Sequence, residues 1–598
     1  MAKLLSRSEL NINHTWDLTR LFKTQKDYEQ ALDQTQALVD NFKQKYETKL
    51  KDVKTIINSL ADYKVLIQQL TYIGTYQSLA LATDQTNQDN VIRSTKYGIF
   101  SAAVNKALTF YLSELKDLSL DLLNEVAQKS SEDQLFIEEL IKQVQRKLTP
   151  EVELALAEFS SVLNAQYSTY NKVKLGDMDF GQFSVNNQTY VNSFSKFESE
   201  YQSEANIDVR RAAFESFYEK LGQYENGLAA NYYNQILKEK AYANLYKFDS
   251  VIHYLLDDQE VEETMYNRQI DYLMDQLSTV FRKYAKLLKE THNIDKMTYA
   301  DLQIALDPEF EPNISIEESK EYALKGLKLL GSDYTKMIEK SFNERWTDFP
   351  QNIGKSTGGF CSSPYQKGAF ILLNWNNMMD EAFVLAHELG HAGHFYFAGL
   401  NQNILNMRPS MFFIEAPSTM NELIMADYLK TQSTEPRFKR WVLSAVVART
   451  YYHNCVTHLL EAYFQREVYR KIDQKMPISA AILNDLMLQT IKKFWGDDIE
   501  IPAYAGRTWM RQPHYYMGLY PYTYSAGLTI ATNAFSMIKG GSLSVNEWLD
   551  VLKAGGTKKP LELALMAKVD YTSDQPLKNM VEYVDSMVEE MIKLSKKD

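Results

Sequence analysis

Cysteine is nearly missing from this 598-residue chain: only Cys361 and Cys455 occur, far apart and outside any CxxC spacing. A disulfide framework is thereby excluded, and the scarcity fits a reducing compartment. No run of about 18 consecutive apolar residues occurs, so no membrane span is expected. The opening residues "MAKLLSRSELNINHTWDL" lack the apolar stretch of a secretory signal. A basic excess is also missing. The net charge of -12 argues against a nucleic-acid binder and says nothing positive about substrate. With 45% hydrophobic residues and mixed charge, the composition predicts a soluble, folded, cytoplasmic protein.

Proline is lacking in one half only. Pro150 is the sole proline before Pro308, and thirteen follow. Proline removes a backbone donor and clashes with the preceding helical turn, so its avoidance over three hundred residues predicts helix. Apolar residues at three- and four-residue steps in "YEQALDQTQALVDNFKQKYETKL" agree. "LTPEVELALAEFSSVL" reads as a helix start, with Thr149 as N-cap and Pro150 at the first position. Two stretches break the pattern. Residues 174–195, with glycines and an Asn-Asn pair, suggest turns or a short hairpin and a domain boundary. Residues 350–377 contain "GAFILLNW", a short strand by its β-branched and aromatic content.

Histidine is scarce as well, yet three of the nine fall within residues 387–394 of "FVLAHELGHAGHFYFAG". His387 and His391 are four apart, on one face of a helix, where two imidazoles can bind one metal ion. Glu388 between them can reach a metal-held water without being a ligand. The costly glycines Gly390 and Gly393 imply close approach by a neighbouring helix or a substrate backbone. His394 lies too far along the helix to join the pair and is expected in a supporting or core position. A metzincin site needs glycine at 394 and histidine at 397, where the chain has His394 and Phe397. A catalytic zinc takes a third protein ligand, and the first acid after His391 is Glu415, in "FIEAPSTMNELIMADYL". Glu415 could also merely favour a helix N-terminus near Pro417. Glu422 and Asp427 are candidates to orient a ligand histidine.

HELGH followed by "IEAPSTMNE" resembles the zinc oligopeptidases of the thimet-oligopeptidase and oligoendopeptidase F family. "TWDLTRLF", "TYADLQIAL" and "VLKAGGTKKPLELALMAKVD" extend the likeness over essentially the whole chain, with the N-terminal part favouring the oligoendopeptidase F branch. The resemblance implies a mainly α, elongated body with a deep central channel and a small β-sheet near the zinc-binding helix. Residues 1–190 would wall the channel and 191–598 would form the catalytic domain. It implies one zinc ion per chain held by His387, His391 and Glu415, with Glu388 as general base. In "WMRQPHYYMGLYPYTYSAG", His514 matches a family histidine, and Tyr522 and Tyr524 best match tyrosines that reach over the zinc. The choice among Tyr516, Tyr520, Tyr522 and Tyr524 is open on spacing alone. Gly518 and Gly527 would let this segment flex. The expected activity is internal cleavage of short unstructured peptides, which would add as a strand along "GAFILLNW" with the "STGGF" loop above; the alternative is a carboxypeptidase-type exopeptidase. The sequence is silent on oligomeric state.

Overall fold

The computed structural model describes residues 4–596. Helices dominate, and the described residues contain two small sheets. The proline-poor half is helical, as expected. Gln25–Tyr46, Val53–Thr83 and Gln88–Lys116 are long helices packed on one another. Each begins at a side chain that satisfies free backbone donors. Thr24 and Asp27 cap reciprocally at the first, and Asp52 and Asn87 accept from amides at the next two. Val39, Phe42, Ile56, Leu60 and Tyr111 help fill a core distinct from the larger one that runs from Tyr170 to Met591. A helix begins at Pro150, although the Thr149 side chain makes no capping bond.

Within 174–195 the expected hairpin forms. β1 (Gln182–Val185) pairs antiparallel with β2 (Gln188–Val191). Asn186 and Asn187 turn the chain with φ of 51° and 64°, the left-handed pair of a type I′ turn, whose twist suits the strands.

The second sheet comprises β3 (Thr347–Pro350), β4 (Phe360–Ser362) and β5 (Phe370–Trp375) in the order β3-β5-β4. β5 is the strand expected in "GAFILLNW", but it lies in the middle, parallel to β3 and antiparallel to β4. Its main-chain groups are therefore spent on two neighbours, and a peptide cannot add along it. The exposed edge nearer the site is β4. The "STGGF" loop leading into it is tied down: the Ser356 amide donates to Ala82 O at 2.8 Å, and Asn374 Nδ2 donates to Ser356 O and Gly358 O. The N-terminal region meets the sheet at the same place. Trp16 packs on Phe360 and Phe370. Buried Asp348 of β3 pairs with Arg7 and with buried Lys355, and Asn352 Nδ2 donates to Thr83 O at 2.9 Å.

Two helices carry the histidine motif and the acid that follows it, Glu381–Asn401 and Ala416–Gln432. They cross at Gly390, where an added Cβ would lie 2.4 Å from Ser418 Cα and 2.6 Å from Pro417 O. At Gly393 the close neighbour is the Tyr334 side chain, whose hydroxyl would be 2.6 Å from a Cβ. Both glycines thus serve packing within the protein. Asn421 Nδ2 fixes the crossing by donating to Ala386 O at 3.0 Å, and Tyr334 OH donates to Leu389 O at 3.2 Å.

Gly390→Ala should therefore destabilise the protein by about 1–3 kcal/mol or more, because backbone cannot yield as a side chain can. Gly98, also in a helix but with nothing within 4 Å of an added Cβ, is the control. Gly98→Ala should be stabilising by about 0.5–1 kcal/mol. Denaturant unfolding of both variants checks the pair.

Candidate metal and catalytic site

The helical spacing of His387 and His391 brings their ring centroids to 4.9 Å. Glu415, the residue before the Ala416–Gln432 helix, caps no amide of that helix with its side chain. Its Oε2 instead lies 3.5 Å from His387 Nε2 and 3.4 Å from His391 Nε2. These separations fit three ligands around one ion. Atoms at about 2.0–2.1 Å from a tetrahedral metal are about 3.3–3.4 Å apart. Ser418 Oγ steadies the carboxylate, donating to Oε2 at 3.1 Å. Burial works to raise the Glu415 pKa, but His391, then His387 and Ser418, overcome it and bring it down to about 2. Glu415 is thus ionised, as a ligand must be.

The other nitrogen of His387 is spoken for. Its Nδ1 donates to Glu422 Oε1 at 2.6 Å, and the second Glu422 oxygen accepts from the Thr450 hydroxyl. A carboxylate at Nδ1 fixes the tautomer and leaves the Nε2 lone pair for a metal. Burial works to lower the His387 pKa, but Glu422 outweighs it and, with Glu388 and Glu415, carries it up to about 10, so a metal ion would displace a proton from Nε2 on binding. Asp427 does not share this task. It lies further along the helix and pairs with Lys539 at 2.5 Å.

Glu388 is buried, and its Oε2 has no hydrogen-bond partner. Burial raises its pKa, against the pull of His387 and His391. An unpartnered buried carboxylate oxygen beside three convergent ligand atoms is what a site for a reacting water requires. His394 differs in every respect. It is fully buried, neither ring nitrogen has a partner, and burial brings its pKa down to about 3. It is a core histidine against Phe395 and Phe413.

The tyrosine-rich segment divides sharply. Tyr522 faces the core: its hydroxyl donates to Gln259 Oε1 at 2.6 Å and its ring packs on Tyr266 and Phe412. The structure does not bring it to the metal ligands, because it lies two residues from Tyr524 on a helix and so on nearly the opposite face. Tyr516 is likewise held in packing, by Asn231 and Tyr170. Tyr520 and Tyr524 pack edge to face with ring centroids 5.1 Å apart, and the charge of Glu415 acts on both. His514 is 5.4 Å from the Tyr520 ring and 5.8 Å from the Tyr524 ring. Gly527 is no hinge. It sits inside the Pro521–Gly540 helix, and an added Cβ would be 3.1 Å from Glu415 Cβ, so this helix braces the third ligand.

Several site residues escape sequence reasoning. Tyr334, Asn421 and Thr450 act through single hydrogen bonds and have no motif. His453, His458 and Glu461 form a cluster with His514. Two scarce histidines five apart with an acid three further on were a readable signal. Their convergence was not, because residues 446–451 and 453–457 wind as π-helix, which shifts side-chain directions away from the α-helical register.

Comparison with known proteins identifies the family. Residues 200–583 match the model of Peptidase family M3. The oligopeptidase PepF of Bacillus subtilis is 27% identical over 99% of this chain and 89% of its own length. An oligoendopeptidase F homolog of Borreliella burgdorferi is 26% identical over 99% and 100%. The crystal structure of oligoendopeptidase-F from Enterococcus faecium superposes with a TM-score of 0.73 at 20% identity, covering 96% of this chain and 99% of that one. The chain belongs to peptidase family M3. It is a metalloendopeptidase of predominantly helical fold.

The Glu422 bond to His387 yields a prediction for metal retention. Glu422→Gln should weaken metal affinity by about 10–100-fold, measured by chelator competition, whereas Asp427→Asn should leave it unchanged.

Proposed function

We propose that the protein is a zinc-dependent endo-oligopeptidase that hydrolyses internal bonds of short unstructured peptides. The observation that carries this reading is the meeting of His387 Nε2, His391 Nε2 and Glu415 Oε2 beside the unpartnered Oε2 of Glu388. Two imidazoles and a carboxylate form a donor set suited to catalytic zinc, and one ion per chain is expected. When bound, zinc supplies a Lewis acid that acidifies a water and polarises the scissile carbonyl. Glu388 Oε2 receives the proton of the attacking water and delivers it to the departing amine nitrogen. Burial favours both transfers, since it moves the carboxyl from its ordinary range toward the working pH. Tyr524, with Tyr520 packed edge to face against it, is the donor for the carbonyl oxygen as negative charge grows there. His514 stands behind them as a positioning residue.

The substrate would extend along the free edge of β4, where main-chain bonds give affinity with little sequence demand. Gly359, just before β4, supports this placing: a Cβ there would be 3.5 Å from Glu388 Oε1. The helices before residue 190 would wall the approach and restrict entry to unfolded peptides, with the catalytic domain following. Hydrogen bonds from the loop before β4 to Thr83 O and Ala82 O support this reading. Two free thiols, and no described helix long and apolar enough to cross a membrane, accord with a cytoplasmic location.

Glu388→Gln should keep its zinc and lose about 10²–10⁴-fold in turnover of an internally quenched peptide blocked at both ends. Near-normal cleavage would remove Glu388 from the role of base, and products trimmed from one end only would indicate an exopeptidase. Tyr524→Phe should lower kcat by about 10²–10³-fold with little change in KM. Tyr522→Phe should leave kcat near normal and appear as lost stability.

A further inference from the structure

Behind the tyrosines lies a polar cluster that the metal site does not use. Glu461 Oε2 accepts from His458 Nδ1 at 2.9 Å and from His514 Nδ1 at 3.0 Å. These are lengths of N–H···O bonds, which satisfy all three groups without an ion. Burial works to raise the Glu461 pKa, but His458 and His514 outweigh it and hold it near about 2. Glu461 is thus a carboxylate and can only accept, so His458 carries hydrogen on Nδ1. The other ring nitrogen of His458, Nε2, lies 3.1 Å from Nε2 of His453, and one of the two carries the hydrogen between them. That bond occupies Nε2 of His453 and leaves its Nδ1 for another partner. The Tyr524 ring, stacked on His458 at 3.9 Å and 15°, holds the arrangement in place.

His453 is the member of this chain that reaches solvent. His458 and Glu461 are buried, whereas His453 is exposed, and its Nδ1 bonds to no described residue. It also lies at the site. Its ring is 5.9 Å from that of Tyr524, the charge of His387 acts on it, and one turn earlier Thr450 holds Glu422. Although exposed, the imidazole has its pKa brought down to about 3, by burial first and then by His458. At neutral pH this imidazole is therefore uncharged.

We propose that His453 is a substrate-binding residue of this site, hydrogen-bonding through Nδ1 to the backbone of the extended peptide, with His458, Glu461 and His514 orienting its ring from behind. The inference rests on the peptidase reading above for the nature of the ligand. An uncharged hydrogen-bonding group on the peptide backbone acts alike in the ground and transition states, so its loss appears in binding and in KM rather than in kcat.

The test combines two measurements. Binding of a labelled unstructured peptide to the Glu388→Gln protein is followed by fluorescence anisotropy, with and without His453→Ala. Cleavage constants are taken for the same change with Glu388 intact. His453→Ala should weaken peptide binding and raise KM by about tenfold each, with kcat within about threefold and with zinc content and thermal midpoint unchanged. His453→Gln, whose amide can donate or accept, should restore part of the loss. Binding within twofold of the parent, or a loss confined to kcat, would overturn the proposal. A parent that binds peptide in a His453-dependent way yet cleaves nothing would sink the hydrolytic reading and leave this inference standing.

Discussion

The site depends on the close crossing of two helices at Gly390. The histidines lie on one helix and their carboxylate partner is a residue of the other chain segment, so their mutual geometry is set wholly by how near those helices approach. With 2.4 Å between a would-be Cβ and Ser418 Cα, no residue with a side chain fits without displacement. That contact seats Glu415 Oε2 within 3.5 Å of both imidazoles. A third element completes the brace, since Gly527 lets the Pro521–Gly540 helix approach Glu415 from another side. The same helix carries Tyr524, so packing that places Glu415 also places the tyrosine proposed as donor.

Bringing four ionisable side chains together under cover is costly unless each has a partner or a task. His387 has Glu422, Glu422 has Thr450, and Glu415 has Ser418 and the two imidazoles. Only Glu388 keeps an oxygen without a partner, and it is the group whose reaction would need one free. On the facing wall the logic is repeated. The Glu461 charge is satisfied by two histidines, and the remaining hydrogen-bonding capacity passes outward to His453. Both walls thus convert a buried, fully bonded anion into a single oriented nitrogen at the surface of the site. The π-helical stretch from Val446 to Thr457 joins them, with Thr450 serving one wall and His453 the other.

Much of this was legible in the sequence, because it rests on local spacing. The absence of proline gave the helical N-terminal half, Asn186 and Asn187 gave a hairpin, and HELGH gave two ligands on one helical face with Glu388 between them. Glu415 could be found as the first acid beyond the motif. Where local reading stopped, the reason was three-dimensional. β5 reads as a strand but not as a central one, since pairing on both edges depends on segments distant in sequence. Tyr522 and Tyr524 look equivalent until helical phase sends one toward Gln259 and the other toward Glu415. Glu422 and Asp427 were equal candidates to orient a ligand, and only the helix crossing decided between them. The His453 cluster lay hidden because its spacing follows a wider helix than the one a sequence pattern assumes.

The central claim is that one ion is held by His387, His391 and Glu415. Crystals of the purified protein measured on either side of the zinc absorption edge test it directly through the anomalous signal. The account predicts one strong peak per chain, bounded by the Nε2 atoms of His387 and His391 and by Oε2 of Glu415. A peak at His458, Glu461 and His514 instead, or no zinc signal in protein that still cleaves peptide, would contradict it.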